Sequence, residues 1–214
     1  AAHGYIFSEF LSAAWNKRTD LYGGALANRA RLLCETLQAC RSAVGTDFPL
    51  WCRIDAQEFG EPGGIVLEEA VETARRAEEA GADAIHVSAY APPLGAGFTQ
   101  GPIVHEPGGY VHFAEKIKAN VSVPVIVVGR ISPRLGDALI RDGRADLVAM
   151  GRPMLADPDL PAKLKQGKPE SVRPCIYCYT CVAQPFFDRR VRCAVNPVTA
   201  HESELSTVYN GKSS

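Results

Sequence analysis

No stretch of the 214-residue chain reaches the run of about 18 apolar residues that a membrane-spanning helix needs. The start, Ala1-Ala2-His3-Gly4-Tyr5, lacks the basic region and apolar core of a secretory signal. Charge of one sign is also missing. Lysine and arginine number 23 against 24 acidic residues, a net charge of −1, which gives no electrostatic pull toward nucleic acid or an anionic membrane. No G-x-G-x-x-G follows an apolar run, which weakens an open dinucleotide-binding sheet. The opening residue is Ala, and no strand pattern precedes it, so the chain reads as the later part of a longer protein.

What is present is a globular composition, 46% hydrophobic and 22% charged, with a repeating strand–helix pattern. Phe48–Ile54 reads as a buried strand, Val66–Ala80 as a helix stopped by Gly81, and Asp83–Ala89 as a second strand. A long Pro- and Gly-rich loop spans Pro92–Gly109, and Tyr110–Ala119 reads as a helix. Val123–Val128 is the third strand, Ser132-Pro133 a helix start, Leu147–Met150 the fourth strand, and Asp157-Pro158 a second start of the same kind. Alternating units of this kind imply parallel strands with crossover helices. A full (β/α)8 TIM barrel takes about 250 residues, so the expectation is its C-terminal half, followed by a Cys-rich segment.

Seven cysteines are present. Cys175, Cys178 and Cys181 recur at three-residue steps, with Cys193 arriving from a later loop. A compact run of three thiolates plus one distant thiolate suits a cubane iron–sulfur cluster. Zinc is the alternative, although it more often uses two separated C-x2-C knuckles. Metal-ligating cysteines suit a reducing, cytoplasmic setting. Cys34, Cys40 and Cys52 read as buried small hydrophobes.

Two Gly-Arg pairs end the last two strands: Gly129-Arg130 and Gly151-Arg152. In barrels the loops after strands seven and eight commonly hold a phosphate. Glycine lets backbone N–H groups approach the anion, and arginine adds bidentate contacts.

These motifs, together with His3-Gly-Tyr-Ile6, Phe10-Leu-Ser12, Asn16-Lys-Arg-Thr-Asp-Leu-Tyr-Gly-Gly24 and Asn28-Arg29, resemble the Old Yellow Enzyme family of flavin oxidoreductases. The similarity is greatest to its iron–sulfur branch of 2,4-dienoyl-CoA reductases, enoate reductases and trimethylamine dehydrogenase, and it covers residues 1 to about 202. The resemblance implies residues 1–170 as a partial FMN-binding barrel (strands five to eight). It implies residues 171–214 as a cluster-binding segment leading toward a missing region for FAD and NAD(P)H. It also implies that Tyr5 donates a proton to the α-carbon of an activated alkene while reduced FMN delivers hydride to the β-carbon. His3 would hold the substrate's carbonyl oxygen, Arg53 would sit near the flavin N1–O2 edge, and Gly129, Arg130, Gly151 and Arg152 would hold the FMN phosphate. Cys175, Cys178, Cys181 and Cys193 would carry a 4Fe-4S cluster relaying electrons between flavins. The Arg18–Gly24 segment reads as a structural brace.

The function expected is NAD(P)H-dependent reduction of an enone, enoate or enoyl thioester, with a small molecule as partner and no nucleic acid or membrane; a homo-oligomer is left open. The C-x2-C-x2-C spacing is that of trimethylamine dehydrogenase, so an amine dehydrogenase or N-demethylase is the alternative. Tyr90–Leu94 and Ala183–Pro185 carry no Trp for a cation cage, which favours the ene-reductase. A third reading is a non-catalytic barrel with structural zinc.

Overall fold

The computed structural model describes residues 2–90 and 106–204. They form two compact units, one extending to Ala149 and one from Met150 onward. Most of the predicted Pro92–Gly109 loop, and the end of the chain from residue 205, lie outside the described residues.

The first unit opens with helices α1 (Ile6–Leu11), α2 (Leu26–Arg29) and α3 (Arg31–Val44). The segment between α1 and α2 is a brace, as predicted. Asn16 Nδ2 donates to the carbonyls of Phe10 and Tyr22, both at 2.7 Å. A Cβ on Gly23 would lie 2.0 Å from the Arg18 carbonyl oxygen, so only glycine closes this turn. Buried Arg29 pairs with Glu69 at 2.5 Å and also donates to the carbonyls of Gly24 and Leu11. The brace is thereby tied to the next helix.

Then follow β1 (Trp51–Glu58), α4 (Leu67–Glu79), β2 (Ala84–Tyr90), α5 (Val111–Lys118), β3 (Val125–Val127), α6 (Pro133–Arg141) and β4 (Leu147–Val148). All neighbouring strands are parallel, in the order β1-β2-β3-β4. A sheet wound in one direction, with no reversal of order, is barrel topology rather than a doubly wound sheet. β1 starts three residues later than predicted and runs four further, because its polar end, Asp55 to Glu58, keeps pairing with β2 across a register shift. Ser132 caps α6 as predicted, its Oγ accepting the Leu135 N–H.

The strand faces divide sharply. Cys52, Ile54, Ala56, Ile85, Val87, Ala89, Val125 and Val127 belong to one buried apolar cluster with Ala70, Ala74, Phe113 and Ile117 of the helices. The register pairs Arg53 with His86 and Asp55 with Ser88, and their side chains take the opposite face. Among the cysteines outside the 175–193 group, Cys52 is buried and Cys34 half-buried. Cys40 corrects the prediction: it is exposed, on the outer face of α3.

The second unit holds α7 (Gly151–Ala156), α8 (Leu160–Lys165), a 3-10 turn at Pro169–Ser171 and α9 (Thr180–Phe186). Asp157 is not the helix cap that its Asp-Pro sequence suggested. α8 starts at Leu160, two residues beyond the Pro158 start that this cap implies. The buried Asp157 carboxylate accepts the Asp159 N–H at 3.2 Å, and also the Lys163 ammonium at 2.7 Å and the Arg173 N–H at 2.8 Å. Among the described residues, no helix is long and apolar enough to cross a membrane.

Candidate functional site

The polar face of β1 and β2 gathers most of the chemistry of the first unit. Arg53 Nη2 donates to Ser88 Oγ at 3.0 Å, and the same oxygen lies 2.7 Å from His3 Nε2. The peptide N–H of His3 donates to Asp55 Oδ2 at 2.6 Å, and Ser8 Oγ donates to the same oxygen at 3.1 Å. The turn before α1 is therefore stitched to the sheet through one carboxylate. Gly4 makes the close approach possible. It has φ +71°, and a Cβ there would lie 2.5 Å from Tyr90 Oη. The other buried acid, Glu58, accepts Ser12 Oγ at 2.5 Å and the Ile65 N–H at 2.8 Å.

Burial sets the charge states. It lowers His3 to about 3, with the Arg53 cation second and His86 third. It lowers His86 to about 4, again helped by Arg53. It pushes Asp55 up to about 7, against the bonds from His3 and Ser8 that favour the carboxylate. At neutral pH both imidazoles are uncharged. His3 Nε2 and Asp55 Oδ1, at 3.9 Å, are neighbours rather than an ion pair.

Three buried polar atoms on this face have no hydrogen-bond partner among the described residues: Arg53 Nε, Asp55 Oδ1 and His86 Nε2. Buried polar groups are nearly always satisfied. A donor, an acceptor and an imidazole nitrogen facing one side form a surface suited to a polar planar ligand. Tyr5 lies at the entry to α1 and is exposed. It is close enough to raise Tyr90 slightly, after burial and the acids Glu58, Asp55 and Glu9. After β3, Gly129 has φ +123° and Arg130 φ +53°, so the chain turns sharply at the first Gly-Arg pair. Tyr110 lies 3.1 Å from where a Gly129 Cβ would be.

The second unit contains the cysteines. Cys175, Cys178, Cys181 and Cys193 line one pocket, with Arg152 and Tyr177. Both arms are pinned to the end of α7. Asp157 holds the Arg173 N–H just before Cys175, and the Leu155 carbonyl accepts Asn196 Nδ2 and Thr199 Oγ1, both at 2.9 Å, just after Cys193. Only Cys181 is helical, on α9. Tyr177 and Tyr179, on either side of Cys178, are left-handed at φ +51° and +64°. The Tyr177 N–H donates to Cys175 Sγ at 3.4 Å. Burial raises Cys175 and Cys181, and Arg152 opposes it in both. The Arg152 guanidinium lies over the Tyr177 ring at 5.0 Å and the Tyr179 ring at 5.4 Å. No group of three or more His, Cys, Asp or Glu among the described residues is placed to hold a single metal ion. At Gly151 a Cβ would meet nothing within 4 Å, which leaves the backbone open to a ligand.

Residues 1–171 match the NADH:flavin oxidoreductase / NADH oxidase family. The chain belongs to that family. It is 40% identical to an NADH oxidase of Thermoanaerobacter brockii over 97% of its own length and 32% of that protein's. A 2-naphthoyl-CoA reductase in complex with 2-naphthoyl-CoA superposes with a TM-score of 0.87 at 35% identity, covering 93% of this chain and 30% of that one. A histamine dehydrogenase from Rhizobium sp. 4-9 gives 0.83 at 32%, covering 94% and 29%. The chain thus spans about a third of the length of these relatives. In this member of the family, the four parallel strands among the described residues are the C-terminal half of a (β/α)8 barrel.

Sequence motifs pointed to His3, Tyr5 and Arg53 but passed over Asp55, His86 and Ser88. A signal existed. In Ile85-His-Val-Ser-Ala-Tyr90 apolar and polar residues alternate strictly, which marks a strand with one face turned to a ligand rather than to core.

Proposed function

We propose that this chain carries the substrate side of an FMN- and iron–sulfur-dependent oxidoreductase reducing the C=C bond of an enone, enoate or enoyl thioester. The observation that carries the reading is the polar face of β1 and β2, with its three unsatisfied buried atoms beside His3. They fit the hydrogen-bonding edge of a flavin, and Arg53 is the cation among them. Residues 1–170 form the flavin half-barrel, and 171–214 form the segment that leads to a region for FAD and NAD(P)H.

FMN, when bound, supplies a hydride to the alkene, and a 4Fe-4S cluster passes single electrons to it. The chain's residues do the rest. Arg53 favours negative charge at the flavin edge. Gly129 and Arg130 in the first unit, and Gly151 and Arg152 in the second, are each candidates to hold the phosphate. His3 donates a hydrogen bond to the carbonyl oxygen, stabilising enolate character. Tyr5 Oη gives its proton to the α-carbon. Cys175, Cys178, Cys181 and Cys193 ligate the cluster. The four cysteines line one pocket, and three thiols at three-residue steps with a distant fourth are the ligand set that suits a cubane cluster.

An amine dehydrogenase is the second reading, favoured by the buried Asp55 acid, which could face a cationic substrate. Its carboxyl is pushed up to about 7 by burial, so it is a poor permanent anion, and the alkene reading is preferred. The test is anaerobic purification of the full-length protein with flavin, iron and acid-labile sulfide analysis, then turnover of cinnamate-type enoates against methylated amines. About four irons and four sulfides with flavin, and enoate turnover, support the proposal. Zinc without flavin overturns it, and amine turnover alone selects the second reading.

A further inference from the structure

Ser88 joins Arg53 and His3, and its own hydrogen-bond inventory fixes the arrangement. The side chain is fully buried. A serine hydroxyl has one proton to give and two lone pairs. Arg53 Nη2, at 3.0 Å, can only donate, so it occupies a lone pair. Among the described residues its other partner is His3 Nε2 at 2.7 Å. A buried hydroxyl proton with no acceptor is costly, and among the described residues His3 Nε2 is the acceptor in reach. Nε2 therefore accepts and carries no proton. In a neutral imidazole the proton then resides on Nδ1, which has no partner among the described residues.

We propose that Ser88 is a positioning residue: accepting from Arg53 and donating to His3 Nε2, it locks His3 in the Nδ1–H tautomer and makes Nδ1 the donor to the substrate's carbonyl or carboxylate oxygen. The substrate half of this inference rests on the role proposed for His3 above. Arg53 also becomes coupled to substrate binding, since one hydroxyl serves both residues. Asp55 supports the geometry from the backbone side by holding the His3 N–H at 2.6 Å. A carboxylate on Nε2 itself would favour the opposite tautomer, but Asp55 Oδ1 stays 3.9 Å away.

The test uses flavin-loaded full-length protein with 15N-labelled histidine, the His3 signals being identified by their loss in His3→Gln. The expected result is a protonated Nδ1 and an unprotonated Nε2 in the wild type. Ser88→Ala should shift His3 toward the Nε2–H form, and Ser88→Thr, which keeps the hydroxyl, should preserve the original one. Enoate reduction should fall about tenfold or more in Ser88→Ala and recover in Ser88→Thr. If Ser88→Ala does not fold, Ser88→Cys, with its weak S–H donor, should give a mixture of tautomers. A wild-type Nε2–H tautomer, or a tautomer indifferent to these substitutions, overturns the proposal. Tautomers that shift as expected in a protein that reduces no enoate leave the Ser88 lock standing and overturn the functional reading instead.

Discussion

Asp55 accepts the peptide N–H of His3 at 2.6 Å across a sequence separation of 52 residues. This bond joins the left-handed His3 turn to β1 and places a titrating carboxyl beneath the proposed substrate face. Because burial raises Asp55 from 3.8 to about 7, the folded state binds its proton more tightly than the unfolded state. Its contribution to stability is full below about pH 4 and is lost as pH rises through 7. His3 and His86 work in the opposite sense. Their values are lowered to about 3 and about 4, so their penalty grows as pH falls below about 6.5. Asp55→Asn removes only the first effect. Relative to wild type, the variant should gain stability between pH 4.5 and 7.5, read as urea midpoints. A difference independent of pH would contradict this assignment.

Gly4→Ala should be costly for its size. The residue sits at φ +71°, and the new methyl would meet the Tyr90 phenol at 2.5 Å. A loss of about 1–3 kcal/mol is expected, measured as the shift in thermal midpoint. Gly24→Ala has the same handedness but no neighbour within 4 Å of its Cβ, so it should cost less.

Arg29→Lys should fail to rescue Arg29→Met. The guanidinium reaches two carbonyls and Glu69 at once, which a single ammonium cannot do. Both variants should lose about 2–4 kcal/mol in denaturant titrations, with the flavin spectrum of the surviving folded protein unchanged.

Tyr5→Phe should slow reoxidation of the reduced flavin by enoate about a hundredfold in stopped-flow mixing, while slowing its reduction by NAD(P)H far less. Equal loss of both half-reactions would sink the proton-donor role.

Cys193→Ser should lower bound iron while leaving flavin in place. Asn196→Ala, which frees the Cys193 arm from the Leu155 carbonyl, should keep the cluster but surrender iron to a chelator several-fold faster. Equal rates would mean that the tether does not matter.

The strand–helix alternation made the parallel sheet legible, because apolar runs such as Val125–Val127 and the stop at Gly81 are local signals. The brace was legible too, since Asn16, Arg18 and Gly23 act within a few residues of one another. Asp157 was misread because a carboxylate before proline looks like a cap, whereas two of its partners, Lys163 and Arg173, lie six and 16 residues away. Asp55 and Ser88 were missed for a similar reason. Their meaning comes from pairing across β1 and β2 and from a turn at residue 3, and no window along the chain contains all three.

Tyr177 and Tyr179 hold left-handed backbones on either side of Cys178, a conformation costing roughly 1 kcal/mol or more for a non-glycine residue. If these cysteines take up the proposed cluster, loading and local ordering of this segment become two descriptions of one equilibrium. Stripping the cysteines would then register in amide hydrogen exchange at residues 175–181 as well as in colour, so that exchange at these tyrosines would report occupancy.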